Sequence, residues 1–176
     1  DIMDINWFIN LNQSLDLSKI NLFSGSKIIN NDSYIVVSSN NSSYILDSLT
    51  GSIISKFNFS SIVKPIIQDK VVFFITRNNL LIAINLRNNK IIYSLDINQQ
   101  VAKFLNTRKK NLKFKNSMLL NNELFIFLEN SYVLKFNING ELKKVYKLPS
   151  KIYTLPIIID NSILYLNHKN KLILLD

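Results

Sequence analysis

Short apolar runs separated by polar doublets and triplets recur along most of the chain. "YIVV", "YIL", "VVFFI", "LLIAI", "LFIFL", "YVLKF", "ILYL" and "LILL" are rich in β-branched and aromatic residues, and Asn, Asp, Ser and Lys punctuate them. Runs of this length and composition predict β-strands joined by tight turns. No window of about 11 residues carries helical spacing, so the expectation is an all-β chain without helices.

The runs are ordered as a repeat. Four 21-residue segments align without a gap: "KIINNDSYIVVSSNNSSYILD" (27–47), "PIIQDKVVFFITRNNLLIAIN" (65–85), "SMLLNNELFIFLENSYVLKFN" (117–137) and "PIIIDNSILYLNHKNKLILLD" (156–176). Their closing residues, Asp47, Asn85, Asn137 and Asp176, are separated by 38, 52 and 39 residues. Two near-equal periods and one longer one are the mark of a repeat array with an insertion. The fifth column holds Asn31, Asp69, Asn121 and Asp160. A second turn follows at Asn40-Asn41, Asn78-Asn79, Asn130-Ser131 and Lys169-Asn170, and a third at Thr50-Gly51, Asn88-Asn89 and Asn139-Gly140. Asn, Asp and Gly tolerate the positive φ that tight hairpins require.

Each unit therefore reads as four antiparallel strands in about 40 residues, a length within the usual repeat range. The second and third strands are almost continuously apolar, which predicts burial on both faces. The outer strand, as in "ELKKVYKL", is mixed. A four-stranded sheet packed between like sheets is a propeller blade. The predicted fold is an all-β propeller with about four blades in this chain, a single domain or half-propeller over 1–176. Blade units start near 27, 65, 117 and 156. Residues 1–26 are expected to hold an outer strand and a linker, because "INWFINL" (5–11) aligns with "IIYSLDI" (91–97) and would supply the outer strand of the last blade. Four blades close on themselves, self-associate to complete a ring, or form part of a larger one.

Composition narrows the chemistry. Hydrophobic residues make up 47% and charged residues 19% of the chain, too apolar for disorder. Net charge is +9, which favours acidic partners, although the Lys, Asn and Ile bias is also that of an AT-rich coding sequence. Without Cys there are no disulfides, thiolate metal sites or Cys nucleophiles. His168 is the only His, at a hairpin turn where imidazoles are more often solvated than ligating. No GxSxG, GxGxxG, P-loop or EF-hand pattern occurs. No catalytic, cofactor-binding or metal-ligating residue is assigned. The chain opens "DIMDINWF" with no signal-peptide pattern and no initiator Met, as a processed chain or excised domain would. No apolar run reaches the ~18 residues of a membrane span.

One segment stands out. The insertion "VAKFLNTRKKNLKFKN" (101–116) carries Lys103, Arg108, Lys109, Lys110, Lys113 and Lys115 with no acid, interleaved with Phe104 and Phe114. It is the candidate partner-binding element, suited to an acidic protein face or anionic headgroups. A nucleic-acid reading uses the same features and ranks below a protein or lipid contact. A solvated basic loop is the bland alternative. "KFLN" and "LKFK" could instead be the outer strand of blade two and the inner strand of blade three.

The unit pattern in "PIIQDKVVFFITRNNLLIAINLRNNKIIYSL" and "SYILDSLTGSIISKF" resembles the PQQ-type, quinoprotein-like propeller repeat over roughly residues 27–176. It departs from that repeat in having few glycines at the turns and Ser55 at the expected aromatic column of the first unit. The resemblance implies one of two functions. The first is a non-enzymatic scaffold similar to the BamB-type outer-membrane assembly lipoprotein, in the periplasm or cell envelope, with assembly components as partners and no cofactor. The alternative is a PQQ-dependent dehydrogenase-like fragment, which would call for cysteines, a Trp-lined pocket and carboxylates for calcium. This chain has no Cys, and its single Trp is Trp7.

Overall fold

A computed structural model describes residues 4–11, 28–39 and 41–175. Its elements are β1 (Ile29–Asn30), β2 (Tyr34–Ser39), β3 (Ser42–Asp47), β4 (Ile53–Phe57), β5 (Ile66–Gln68), β6 (Val71–Ile75), β7 (Leu80–Asn85), β8 (Lys90–Asp96), α1 (Ile97–Phe104), β9 (Phe114–Leu120), β10 (Glu123–Leu128), β11 (Tyr132–Asn137), β12 (Leu142–Lys147), β13 (Ile157–Ile159), β14 (Ser162–Leu166) and β15 (Leu172–Leu175). They form sheets β1–β4, β5–β8 and β9–β12 of four strands each, and β13–β15 of three, with sequential neighbours paired throughout. The expected all-β meander is thus found. The chain forms two compact units, residues 1–94 and 95–176.

Turn chemistry explains the strand ends. Asp69, Asn79, Asn89, Asn121, Asn122, Ser131, Asp160 and Asn170 all sit at positive φ, as do Gly51 and Gly140. Asn and Asp therefore take most of the left-handed positions that glycine could fill. The closing residues Asp47, Asn85 and Asn137 each add a side-chain cap. Asp47 Oδ1 accepts from the Leu49 and Thr50 amides, and Asn137 Oδ1 accepts from those of Asn139 and Glu141. The Thr50 amide first, then the Thr50 hydroxyl and the Leu49 amide, hold the Asp47 carboxyl below its ordinary pKa. Register irregularities recur between Ile45 and Leu46 and between Lys135 and Phe136, the same repeat column.

In the first unit, Val36 and Ile45 of one sheet pack on Val72, Phe74, Ile82 and Ile84 of the next, joined by Phe57 and Phe59. Phe59 stands edge-on to Phe74, with ring centroids 5.3 Å apart. In the second unit, Phe127 and Val133 pack on Ile163 and Tyr165. The linkers before the inner strands repeat their bonding as well. Ile62 donates to the Ile75 carbonyl and Tyr153 to that of Leu166, at matching columns. Face-to-face stacking buries both sides of the central strands, which is why their sequences lack alternation.

Three expectations need correction. First, the gapless alignment slips in the first repeat. Tyr34 pairs with Asp47 where Val71 pairs with Asn85 and Glu123 with Asn137, so its strand β2 sits one column late. Ser39 pairs with Ser42, a connection one residue shorter than that between Ile75 and Leu81 allows at the equivalent hairpin. The two differences cancel in length and hide each other. Second, residues 5–10 form no strand. Instead Trp7 Nε1 donates to the Ser48 carbonyl (3.2 Å), and Ile9 and Leu11 pack on Val37, Tyr44 and Leu46 of the first sheet. The expected linker at 12–26 and Asn40 lie outside the described residues. Third, a helix exists, α1, where no helix was expected.

Candidate functional site

Helix α1 opens the basic insertion. Asp96 caps its start, accepting from the Gln99 amide (3.0 Å), the expected N-cap geometry. Its end is a Schellman closure: Thr107 donates to the Ala102 carbonyl and Asn106 to that of Lys103, with Asn106 at φ +50°. Ile97, Asn98, Val101 and Ala102 are its buried face. Buried Asn98 uses Oδ1 to accept from the Leu112 amide (3.2 Å), tying the returning loop to the helix. The start and stop residues, Asp96, Gln99 and Asn106, were visible in the sequence. An eight-residue helix offers too few turns for a periodicity argument.

The six predicted basic residues divide into two groups. Lys109 pairs with Asp96 (2.5 Å), and that hydrogen bond, more than the helix amides, lowers the Asp96 carboxyl's pKa. Lys115, on β9, is half-buried and donates to the Ile152 and Tyr153 carbonyls, stitching the third sheet to the linker before the fourth. Both are held by intramolecular partners. Lys103, Arg108, Lys110 and Lys113 are exposed and form no ion pair among the described residues. "LKFK" does enter the inner strand β9, whereas "KFLN" ends the helix instead of forming an outer strand.

Under the insertion runs an apolar groove of about 190 Å³, floored by Val101, Leu112, Leu134 and Val145, with Arg108 and Lys110 among its lining residues. An adjoining hollow holds Lys113 and Lys151 beside Glu129. This combination can hold an acidic segment that also offers an apolar side chain. It has no nucleophile–base pair, and His168 lies at a turn with its amide bonded to the Lys151 carbonyl.

Comparison with known proteins agrees on the architecture. No family model and no curated protein matches the chain in sequence. Among solved structures it is similar to BamB from Moraxella catarrhalis, with a TM-score of 0.53 and 11% identity over 85% of this chain and 56% of that one. It is also similar to the computationally designed proteins Ika8 and Ika4. Ika8 gives a TM-score of 0.61 and 11% identity over 85% of this chain and 44% of Ika8. Ika4 gives 0.62 and 11% identity over 92% and 94%. The fold is a β-propeller built from four-stranded antiparallel blades. The chain spans just over half the length of the BamB chain it matches.

Proposed function

We propose that this chain is a non-enzymatic PQQ-repeat-type scaffold that binds a protein partner through the insertion 101–116, in the cell envelope and in outer-membrane protein assembly. The observation that carries the reading is the state of that insertion. A helix capped at both ends presents Lys103 to solvent, and the loop that Asn98 ties back to it presents Arg108, Lys110 and Lys113. An ordered cationic surface loses little entropy when an acidic face docks on it. The propeller fold and the repeat resemblance support the envelope role by analogy.

The test is crosslinking capture from an envelope fraction, with a variant carrying K103E, R108E, K110E and K113E. The expected result is enrichment of barrel-assembly components by the native chain and loss of that enrichment in the variant. These four side chains lie at the surface, so stability should change little and folding can be checked by circular dichroism. Capture that survives the charge reversal removes the insertion from the reading. Tight binding of PQQ with calcium would replace the scaffold with the enzyme. Binding only to anionic vesicles would replace the protein partner with a membrane surface.

A further inference from the structure

The groove under the insertion and the hollow beside it both lie within the unit 95–176. Leu112 and Asn130 line both, so the two adjoin there. At about 190 Å³ the groove is smaller than a small-molecule site of roughly 300–1,000 Å³. Its walls are aliphatic: Val101, Ala102, Leu105, Leu112, Leu134 and Val145. It suits a side chain rather than a cofactor. The cations follow the same path. Arg108 and Lys110 line the groove, and Lys113 and Lys151 line the hollow. None of the four forms an ion pair among the described residues. Glu129 is the one carboxylate residue lining the hollow, and none lines the groove. The walls are also held in place. Asn98 accepts from the Leu112 amide, and the Leu105 and Thr107 amides donate to the Val101 and Ala102 carbonyls.

We infer that this path takes an extended acidic segment of a partner protein. One aliphatic side chain enters the groove, and carboxylates meet Arg108 and Lys110 on one side and Lys113 and Lys151 on the other. This deepens the partner-binding reading of the insertion and rests on it. Charge complementarity selects the acidic occupant, because four cations face one carboxylate. The Arg108 guanidinium can take a carboxylate through two parallel hydrogen bonds. The recess selects a peptide over a lipid surface, which offers the charge but no single side chain to fill a pocket of this size. Nucleic acid would need aromatic faces for its bases, and Tyr132 is the one aromatic residue lining the groove. A groove already held open costs little to order when the segment docks.

The test is fluorescence anisotropy with the full chain and a fluorescein-labelled peptide, Glu-Asp-Glu-Leu-Asp-Glu. One companion peptide has Ala in place of Leu, and another has Gln and Asn in place of Glu and Asp. The first peptide should bind, and each companion should bind at least about 10-fold more weakly, through lost apolar burial or lost charge. L105D sets a carboxylate at the groove and should weaken binding by at least about 10-fold. Leu105 is 46% exposed, so this variant should keep the fold, which circular dichroism checks. No binding of the first peptide at about 1 mM overturns the inference. Equal binding of the Ala peptide, or binding unmoved by L105D, overturns the assigned groove. Displacement by oligothymidylate at lower concentration than by unlabelled peptide overturns it in favour of nucleic acid. The envelope capture separates the two readings. Capture lost on reversing the four cations but kept in L105D leaves the basic surface as a docking site and overturns the groove. Peptide binding without capture of assembly components upholds the acidic-segment site and removes the assembly role.

Discussion

Gly51 links a turn to the placement of the N-terminal segment. Its φ is +69°, and a Cβ at this position would overlap the Trp7 indole at Cε3, Cδ2 and Cζ3, well inside van der Waals contact. G51A should therefore carry two costs. Left-handed backbone strain at a non-Gly residue is about 1 kcal/mol. The clash displaces the half-buried indole, losing its hydrogen bond to the Ser48 carbonyl, about 1 kcal/mol, and some apolar burial worth about another 1 kcal/mol. The expected loss is about 3 kcal/mol from the first unit. Trp7 is the only Trp, so its fluorescence reports the event directly. The emission should shift to the red before any denaturant is added, and the urea midpoint should fall. In a W7A background G51A should cost only the strain of about 1 kcal/mol, leaving a coupling of about 2 kcal/mol. Equal costs in both backgrounds, or an unmoved emission maximum, would refute the packing of residues 5–11 on the first sheet.

Two further outcomes are expected. D96A should destabilise α1 by about 1 kcal/mol through its lost N-cap, seen as faster amide exchange at Gln99; the exposed Lys109 pair adds little. The folded Asp96 pKa is depressed. Its contribution should thus be present above the ordinary carboxylate pKa and vanish as pH falls through the lower folded value, which carbon-detected titration of Asp96 would follow; a pKa at the ordinary value would contradict the pairing. F127A removes a fully buried ring from the second unit and should cost about 3–5 kcal/mol, measured by urea unfolding; a cost under about 1 kcal/mol would contradict this core.

Residues that act through their own backbone were legible in the chain. Asn79, Asn121 and Asn170 are turn residues by chemistry, and they sit at positive φ where the pattern placed turns. The runs "VVFFI" and "LLIAI" announced burial on both faces and have it. The slip in the first repeat was not legible, because register is read from the partner strand and a shift of one column was balanced by a shorter hairpin. Helix α1 was missed although Asp96, Gln99 and Asn106 mark its ends, because the pattern was judged by period and the helix is eight residues long.

The candidate site shows the division most clearly. Composition identified Lys103, Arg108, Lys109, Lys110, Lys113 and Lys115 as one basic run, because charge is a property of the residue itself. Their separation into four cations without an ion pair among the described residues and two held by intramolecular partners is a property of distance. Lys109 was removed from the free set by Asp96, thirteen residues away, and Lys115 by carbonyls thirty-seven and thirty-eight residues away. By itself the chain determined its strands, its turns and its repeat, all of which depend on local backbone preference and apolar pattern. Tertiary structure decided which cations are paired and where Trp7 lies, because each depends on groups that only folding brings within reach.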